Sequence, residues 1–166
     1  MPALMPITRE LAGTYKQVRL RALQDSPSAF GSTYARESLM TDEDWLNRTL
    51  GLDGEKKIGF LAMDADEACG LVACFRDESD PSQGYVISMW VAPSHRGTGV
   101  SAALLDAVLG WAESRGISAL RLMAVGNNDR AIAFYERYGF VKTGRTEPYP
   151  NDPALFEYEM VRPTGD

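Results

Sequence analysis

Cysteine and histidine are scarce: two Cys and one His in 166 residues leave little material for disulfide, thiol or metal chemistry. Cys69 and Cys74 stand five positions apart in a stretch that reads as one strand, so their side chains point to opposite faces and no disulfide is expected between them. With neither a cysteine framework nor a Cys/His cluster, the chain is expected in a reducing compartment, the cytoplasm by default, and without a metal. Long apolar runs are missing as well. No stretch reaches the ~18 residues of a membrane span, and Met1 to Glu10 lacks the apolar centre of a secretory leader, so no membrane partner is expected. Positive charge is in deficit, with 17 Lys and Arg against 23 Asp and Glu for a formal −6. That balance argues against a nucleic-acid partner and mildly favours small cationic ones. Repeats and low-complexity tracts do not occur, and 45% hydrophobic residues is enough to close one core, so one domain over 1–166 is expected.

The periodicities assign a mixed α/β chain. Leu4 to Thr8 reads as a short edge strand, and Thr14 to Leu23 as a helix ended by Ser26-Pro27. A looser helical stretch covers Phe30 to Leu39. Thr41, with Asp44 three places on, predicts the capped start of another helix that carries Trp45 and Leu50 and stops at Gly51. Lys57 to Met63, Ala68 to Arg76 and Tyr85 to Val91 are strand-like and predict an antiparallel meander. Val100, Ala103, Leu104, Ala107, Val108 and Trp111 form the clearest helical stripe, closed by Arg115 and Gly116. Ile117 to Val125 reads as a strand buried on both faces, followed by a helix from about Asp129 to Tyr138 and strands near Phe140 to Gly144 and Leu155 to Val161.

The turn Arg96-Gly97-Thr98-Gly99-Val100-Ser101 leads from a strand into the clearest helix. The first amides of a helix lack internal partners and sit at the positive end of its dipole, which makes this turn suited to a phosphate. Gly97 and Gly99 let the backbone approach such a group, and Arg96 adds a fixed charge. A Gly-x-Gly alone is a weak signal that also fits a plain glycine-rich connection. A Walker loop is excluded by the lack of Lys followed by Ser or Thr. A dinucleotide fingerprint fits Gly97, Gly99 and Ala102 in spacing, but the next strand ends in Ala124 and Val125, where that reading requires an acid. Coenzyme A is the third reading.

A second segment bears on that choice. Asn128 is a good N-cap, and Ala131, Phe134, Tyr135 and Tyr138 mark the inward face of the helix that follows. Asn128 and Tyr135, seven positions apart, lie on nearly the same side. An ordinary capped helix with a core tyrosine would have the same pattern.

Together the two segments resemble the GCN5-related N-acetyltransferase (GNAT) superfamily. The loop matches the family's Arg/Gln-x-x-Gly-x-Gly/Ala pattern, with Ser101 in place of the usual Gly or Ala. Asn128, Ala131, Tyr135, Gly139 and Phe140 match its second motif. The resemblance is strongest from about Tyr85 to Gly144, and Arg19 to Leu23 with Ala29 to Gly31 also looks like the start of small bacterial members. It implies a central, mostly antiparallel, twisted sheet of six to seven strands, splayed between the fourth and fifth and flanked by about four helices. It also implies acetyl-CoA as co-substrate, held by the backbone of Met89, Trp90 and Val91, by Arg96, Gly97, Thr98, Gly99, Val100 and Ser101, and by Asn128. The implied reaction is direct attack of a primary amine, on a small molecule or a peptide, without an acyl-enzyme. A homodimer is plausible by resemblance.

Tyr135 is the catalytic residue that the resemblance implies. A tyrosine titrating near 10 is protonated at neutral pH and can give a proton to a departing thiolate whose acid has a pKa of about 8.5. An oxyanion donor is expected on the main chain near Met89. An acceptor amine with a pKa near 10.4 arrives protonated and needs a base. Ile87 to Trp90 offers no carboxylate, leaving Glu37, Glu147 or a water chain from Ser88. Trp45 and Tyr149 are candidate walls of the acceptor pocket, with core packing the competing role for Trp45. His95 reads as an exposed turn residue. A non-catalytic acyl-CoA-binding module is the alternative to an enzyme.

Overall fold

The computed structural model describes residues 2–165. Seven strands form one sheet: β1 (Ala3–Pro6), β2 (Lys57–Asp64), β3 (Glu67–Arg76), β4 (Gln83–Val91), β5 (Ala119–Val125), β6 (Val141–Tyr149) and β7 (Asp152–Pro163), in the order β1-β2-β3-β4-β5-β7-β6. Five helices accompany them: α1 (Ala12–Asp25), α2 (Tyr34–Glu37), α3 (Asp42–Leu50), α4 (Val100–Ser114) and α5 (Asp129–Arg137). Every strand pair is antiparallel except β4 with β5. Short turns join β2 to β3 and β3 to β4. The link from β4 to β5 instead carries α4, and a crossover of that length returns the chain in parallel. No helix among the described residues is long and apolar enough to cross a membrane.

The core follows the predicted α4 stripe with Leu105 and Ala112 added, while β5, expected to be buried on both faces, alternates buried with half-buried residues as far as Ala124. α4 buries Val100, Leu104, Leu105, Val108, Trp111 and Ala112 against β2, β3 and β4, while α1 packs on β3. The consecutive buried residues Ala68 to Val72 show that β3 is covered on both faces. Cys69 and Cys74 are both buried and free, and burial pushes the Cys74 thiol up to about 12. The capping box expected at Thr41 is present: the Asp44 amide donates to Thr41 Oγ1 at 3.1 Å and the Thr41 amide to Asp44 Oδ2 at 2.9 Å. The stretch expected to be helical from Phe30 to Leu39 is helical only over Tyr34–Glu37. Thr33 caps it through its hydroxyl, and Phe30 is extended.

The parallel pair positions everything that follows. β4 and β5 are in register only at Gln83 with Ala119, Gly84 with Leu120 and Tyr85 with Arg121, and beyond that the strands part. A bulge in β4 accompanies the parting. Trp90 faces Leu71 and Ile87 faces Ala73, so Ser88 and Met89 share the space opposite Val72, with Ser88 at φ 59°. The closed end is tied by Arg121, which donates to Gln83 Oε1 on β4 and to Glu159 on β7, both at 2.9 Å.

Behind the bulge lies a buried ion cluster. Arg19 on α1 donates to Ser88 Oγ at 2.7 Å and pairs with both oxygens of Glu37 at 3.0 and 2.9 Å, while Arg48 reaches Glu37 at 2.7 Å. Glu37 is 2% exposed. Burial works to raise its pKa, but the hydrogen bonds and charge of Arg19, with Ser32 and Arg48, outweigh it and hold the carboxyl at about 2. Removing one partner of a buried ion pair costs roughly 3–5 kcal/mol, so Glu37→Gln is expected to lose about that much in urea denaturation at pH 7. Because the folded pKa is depressed, the stabilisation is present above the ordinary value of 4.5 and lost as pH falls toward about 2. The gap between the two proteins should therefore narrow over that window, and a gap constant down to pH 2 would contradict the assignment.

Candidate active site

Where β4 and β5 part, two cavities of about 430 and 630 Å³ open, each of ligand-pocket size. Both are lined by Ser28, Ala29, Met89, Asn128, Ala131 and Tyr135, so they are two arms of one cleft. The larger arm follows the turn between β4 and α4 and one side of α5. The smaller passes between the diverging strands toward β7 and the loop before α2.

The larger arm is built for an anion. Gly97 and Gly99 adopt φ 75° and 91°, the left-handed region that favours glycine, and Gly99 is the N-cap of α4. The first internal bond of α4 runs from the Ala103 amide to the Gly99 carbonyl at 3.1 Å, which leaves the amides of Val100, Ser101 and Ala102 at the open turn. No acidic residue lies in that turn, and Arg96, Arg130 and Arg137 line the same arm. Arg96 is fixed in place. Its Nε donates to the Val91 carbonyl at 3.0 Å and its terminal nitrogen to Asp25 at 2.6 Å. Asp25 also accepts from Ser26 at 2.7 Å and from the Trp90 indole at 3.0 Å, and those two bonds, with Arg96, hold its carboxyl at about 2. Such a cradle of main-chain amides and guanidinium groups fits a diphosphate.

The smaller arm differs in character. Arg19 reaches its wall, but Glu37 and Ser88 already occupy that guanidinium. Glu157 on β7 lines the arm and makes no side-chain hydrogen bond or ion pair among the described residues. Burial, with a contribution from Glu147, raises its carboxyl above the ordinary 4.5. Tyr135 stands where the arms meet. Its ring is wedged edge-on against Phe140 at 5.8 Å and tilted against Phe134 at 5.6 Å, and burial pushes its hydroxyl up to about 12.

The structure brings most of the sequence-predicted site residues to this cleft. Met89, Asn128 and Tyr135 line both arms, Trp90, Val91, Arg96, Gly97, Gly99 and Ser101 the larger, and Ser88 the smaller. Val100 offers its amide while its side chain is in the core, and the Thr98 hydroxyl turns back to the His95 carbonyl. Asn128 uses its side chain to accept from the Ala131 amide at 3.2 Å. His95 sits outside, between Ser94 and Asp64.

Four of the candidate acceptor positions do not line the cleft. Trp45 is 1% exposed, in edge contact with Tyr15, and belongs to the core rather than to an acceptor wall. Tyr149 ends β6. Its hydroxyl lies 2.6 Å from the Phe30 carbonyl and 3.0 Å from that of Pro27, so it holds the wall loop in place from behind. Glu37 is neither exposed nor open to an acceptor, since two arginines consume it. Glu147 is bound to Arg145 on the outer hairpin. Sequence reasoning passed over Asp25, Arg19, Arg130, Arg137 and Glu157. The spacing of Arg130 and Arg137, two turns of one helix, was the available signal for that pair.

Comparison with known proteins gives the family and the fold. The family model for the acetyltransferase (GNAT) family matches residues 19–140, and the chain belongs to that family. N-alpha-acetyltransferase 30 of Schizosaccharomyces pombe is 30% identical over 105 residues, covering 61% of this chain and 70% of that protein. Mycothiol acetyltransferase of Propionibacterium freudenreichii is 35% identical over 126 residues, 73% of this chain but only 40% of the relative's length. Among solved structures, a GNAT-family acetyltransferase from Streptococcus pneumoniae superposes with a TM-score of 0.83 at 19% identity, covering 99% of this chain and 100% of the other. The PaiA N-acetyltransferase of Thermoplasma acidophilum, solved in complex with coenzyme A, gives 0.75 at 14% identity, covering 97% and 99% of the two chains.

The left-handed glycines give a direct test of the larger arm. A branched residue at such a φ costs ~1–3 kcal/mol, so Gly97→Val or Gly99→Val should weaken coenzyme A binding by about 10- to 100-fold in calorimetry. Unchanged affinity would remove the loop from the binding site.

Proposed function

We propose that this chain transfers an acetyl group from acetyl-CoA to a primary amine by direct attack. The observation that carries this reading is the meeting of an arginine-lined arm and a carboxylate-bearing arm at one phenol, Tyr135. Acetyl-CoA supplies the activated acetyl group as a thioester. Arg96, Arg130 and Arg137, with the amides opening α4, hold its diphosphate, and the unpaired edge of β4 beyond Tyr85 receives the pantetheine arm. The Val91 carbonyl is already taken by Arg96, so Met89 carries more of that contact than the resemblance alone implied.

Tyr135 is suited to serve the leaving sulfur. At a pKa of about 12 its hydroxyl stays protonated across the working range. Complete transfer to a thiolate whose acid has a pKa of about 8.5 is uphill, so the phenol works as a relay: it donates toward sulfur while regaining a proton from the attacking nitrogen. Nitrogen as the accepting atom is supported by the relative named for Nα-acetylation. A module that only binds acyl-CoA has no use for a phenol held between the two arms without a protein hydrogen-bond partner among the described residues.

Tyr135→Phe removes the hydroxyl and keeps the ring contacts with Phe134 and Phe140. General acid–base groups contribute about 10²–10⁴-fold, so a fall in kcat of at least about 10²-fold is expected, with the acetyl-CoA Kd within about twofold of the parent. Thiol release by both proteins over a panel of amines checks it, and equal turnover would overturn the relay role.

A further inference from the structure

We propose that Glu157 is the catalytic carboxylate that receives the acceptor's ammonium group and takes its first proton, and that the acceptor is an amine on a neutral or cationic frame. This rests on the acetyltransferase reading above and names the acceptor class for the same cleft.

The strand that carries Glu157 places two carboxylates on one face, because residues two apart in a strand point the same way. Glu159 is locked. Arg121 reaches it at 2.9 Å, Arg145 at 3.4 Å and the Thr143 hydroxyl at 3.0 Å. Glu157, in register with Val125 on β5 and Glu147 on β6, makes no ion pair among the described residues. Every nearby guanidinium is engaged: Arg121 on Gln83 and Glu159, Arg145 on Glu147 and Glu159, and Arg19 across the arm on Glu37 and Ser88. Among the described residues Glu157 is also the sole carboxylate lining the smaller arm, which it shares with Tyr135. A half-buried carboxylate left unpaired where its neighbours are paired is a seat for a cation that the protein does not supply.

The remaining walls define the carrier. Phe30, Ile87, Leu122 and Met123 are apolar, Ser32 is neutral, and the one lining cation among the described residues, Arg19, is already bonded to Glu37 and Ser88. An acceptor with a carboxylate next to its amine would bring like charge toward Glu157 and find no partner for it. Amino-acid amides, peptide amines and polyamines fit; free amino acids do not.

The proton balance closes with this residue. The ammonium gives one proton to Glu157, which passes it to solvent. The neutral nitrogen bonds to the acetyl carbon, the carbon–sulfur bond breaks, and Tyr135 protonates the sulfur. The second proton, lost from the newly acylated nitrogen, restores the phenol. The products are an amide, the free thiol and one proton. Burial and Glu147 raise the carboxyl above its ordinary range, which makes it a better proton acceptor, and activity should rise with pH as the group ionises.

The test compares the parent with Glu157→Gln, using phenylalaninamide, spermidine and phenylalanine as acceptors. The variant is expected to bind acetyl-CoA within about twofold in calorimetry yet lose about 10²-fold in kcat/KM, with raised KM for the amine and no carboxylate limb in its pH profile. The parent should use the amide and the polyamine at least about tenfold better than the free amino acid. In the parent labelled with ¹³C-glutamate, one carboxyl resonance should titrate above ordinary glutamates and move to lower pH when phenylalaninamide is added with coenzyme A. That readout holds even if the variant does not fold. Acetyl-CoA binding with unchanged variant kinetics, or a resonance indifferent to the amine, would overturn the role of Glu157 and leave the reading of the cleft intact. A preference for phenylalanine would overturn the acceptor class. Failure of the parent to bind acetyl-CoA would instead remove the acetyltransferase reading itself.

Discussion

The parting of β4 and β5 is the constraint on which the rest depends. A parallel pair that stops after three matched positions leaves backbone donors and acceptors of both strands without a ladder, in the middle of a sheet. That arrangement is costly unless something holds it and something uses it. Arg121 holds the closed end by joining β4 to β7, and the bulge at Ser88, braced by Arg19 and Glu37 from behind, bends β4 away at the open end. The ion cluster is therefore part of the architecture of the cleft, although its carboxylate is fully taken up by arginines.

Charge is distributed against the average of the chain. A protein of formal −6 places Arg96, Arg130 and Arg137 along one arm of the cleft, with Asp25 bound to Arg96, and in the other leaves Glu157 unpaired among the described residues while Arg19 is bound to Glu37. The two arms meet at a phenol that lines both. An anionic cofactor and a cationic acceptor would enter from different sides, which keeps each from occupying the other's seat. Asp25 contributes by fixing Arg96 and the Trp90 indole together, so the arginine's direction is set before any ligand arrives.

Much of the fold and the cofactor arm is legible in the amino-acid sequence. The α4 stripe, the capping box at Thr41 and the glycine turn follow from local rules and lie where the spacing put them, while the buried residue of α5 is Ile132, beside the expected face of Ala131, Phe134, Tyr135 and Tyr138, which is partly buried. The short α2 does not follow from such rules, because Gly31 and Ser32 separate Phe30 from the Thr33 cap and no periodicity shows that break. The burial of Glu37 is not legible in the sequence because it depends on partners 18 and 11 positions away. Glu157 and Glu159 are indistinguishable in a strand that alternates acid with apolar residue. Only the register with β5 and β6 shows that one of them meets two arginines and the other none.

A crystal structure with coenzyme A bound tests the cleft most directly. The diphosphate should lie on the amides of residues 97 to 102 beside Arg96, with the pantetheine along β4 past Tyr85 and the sulfur within hydrogen-bond reach of the Tyr135 hydroxyl. A cofactor seated elsewhere, or a sulfur separated from Tyr135 by protein, would contradict the account.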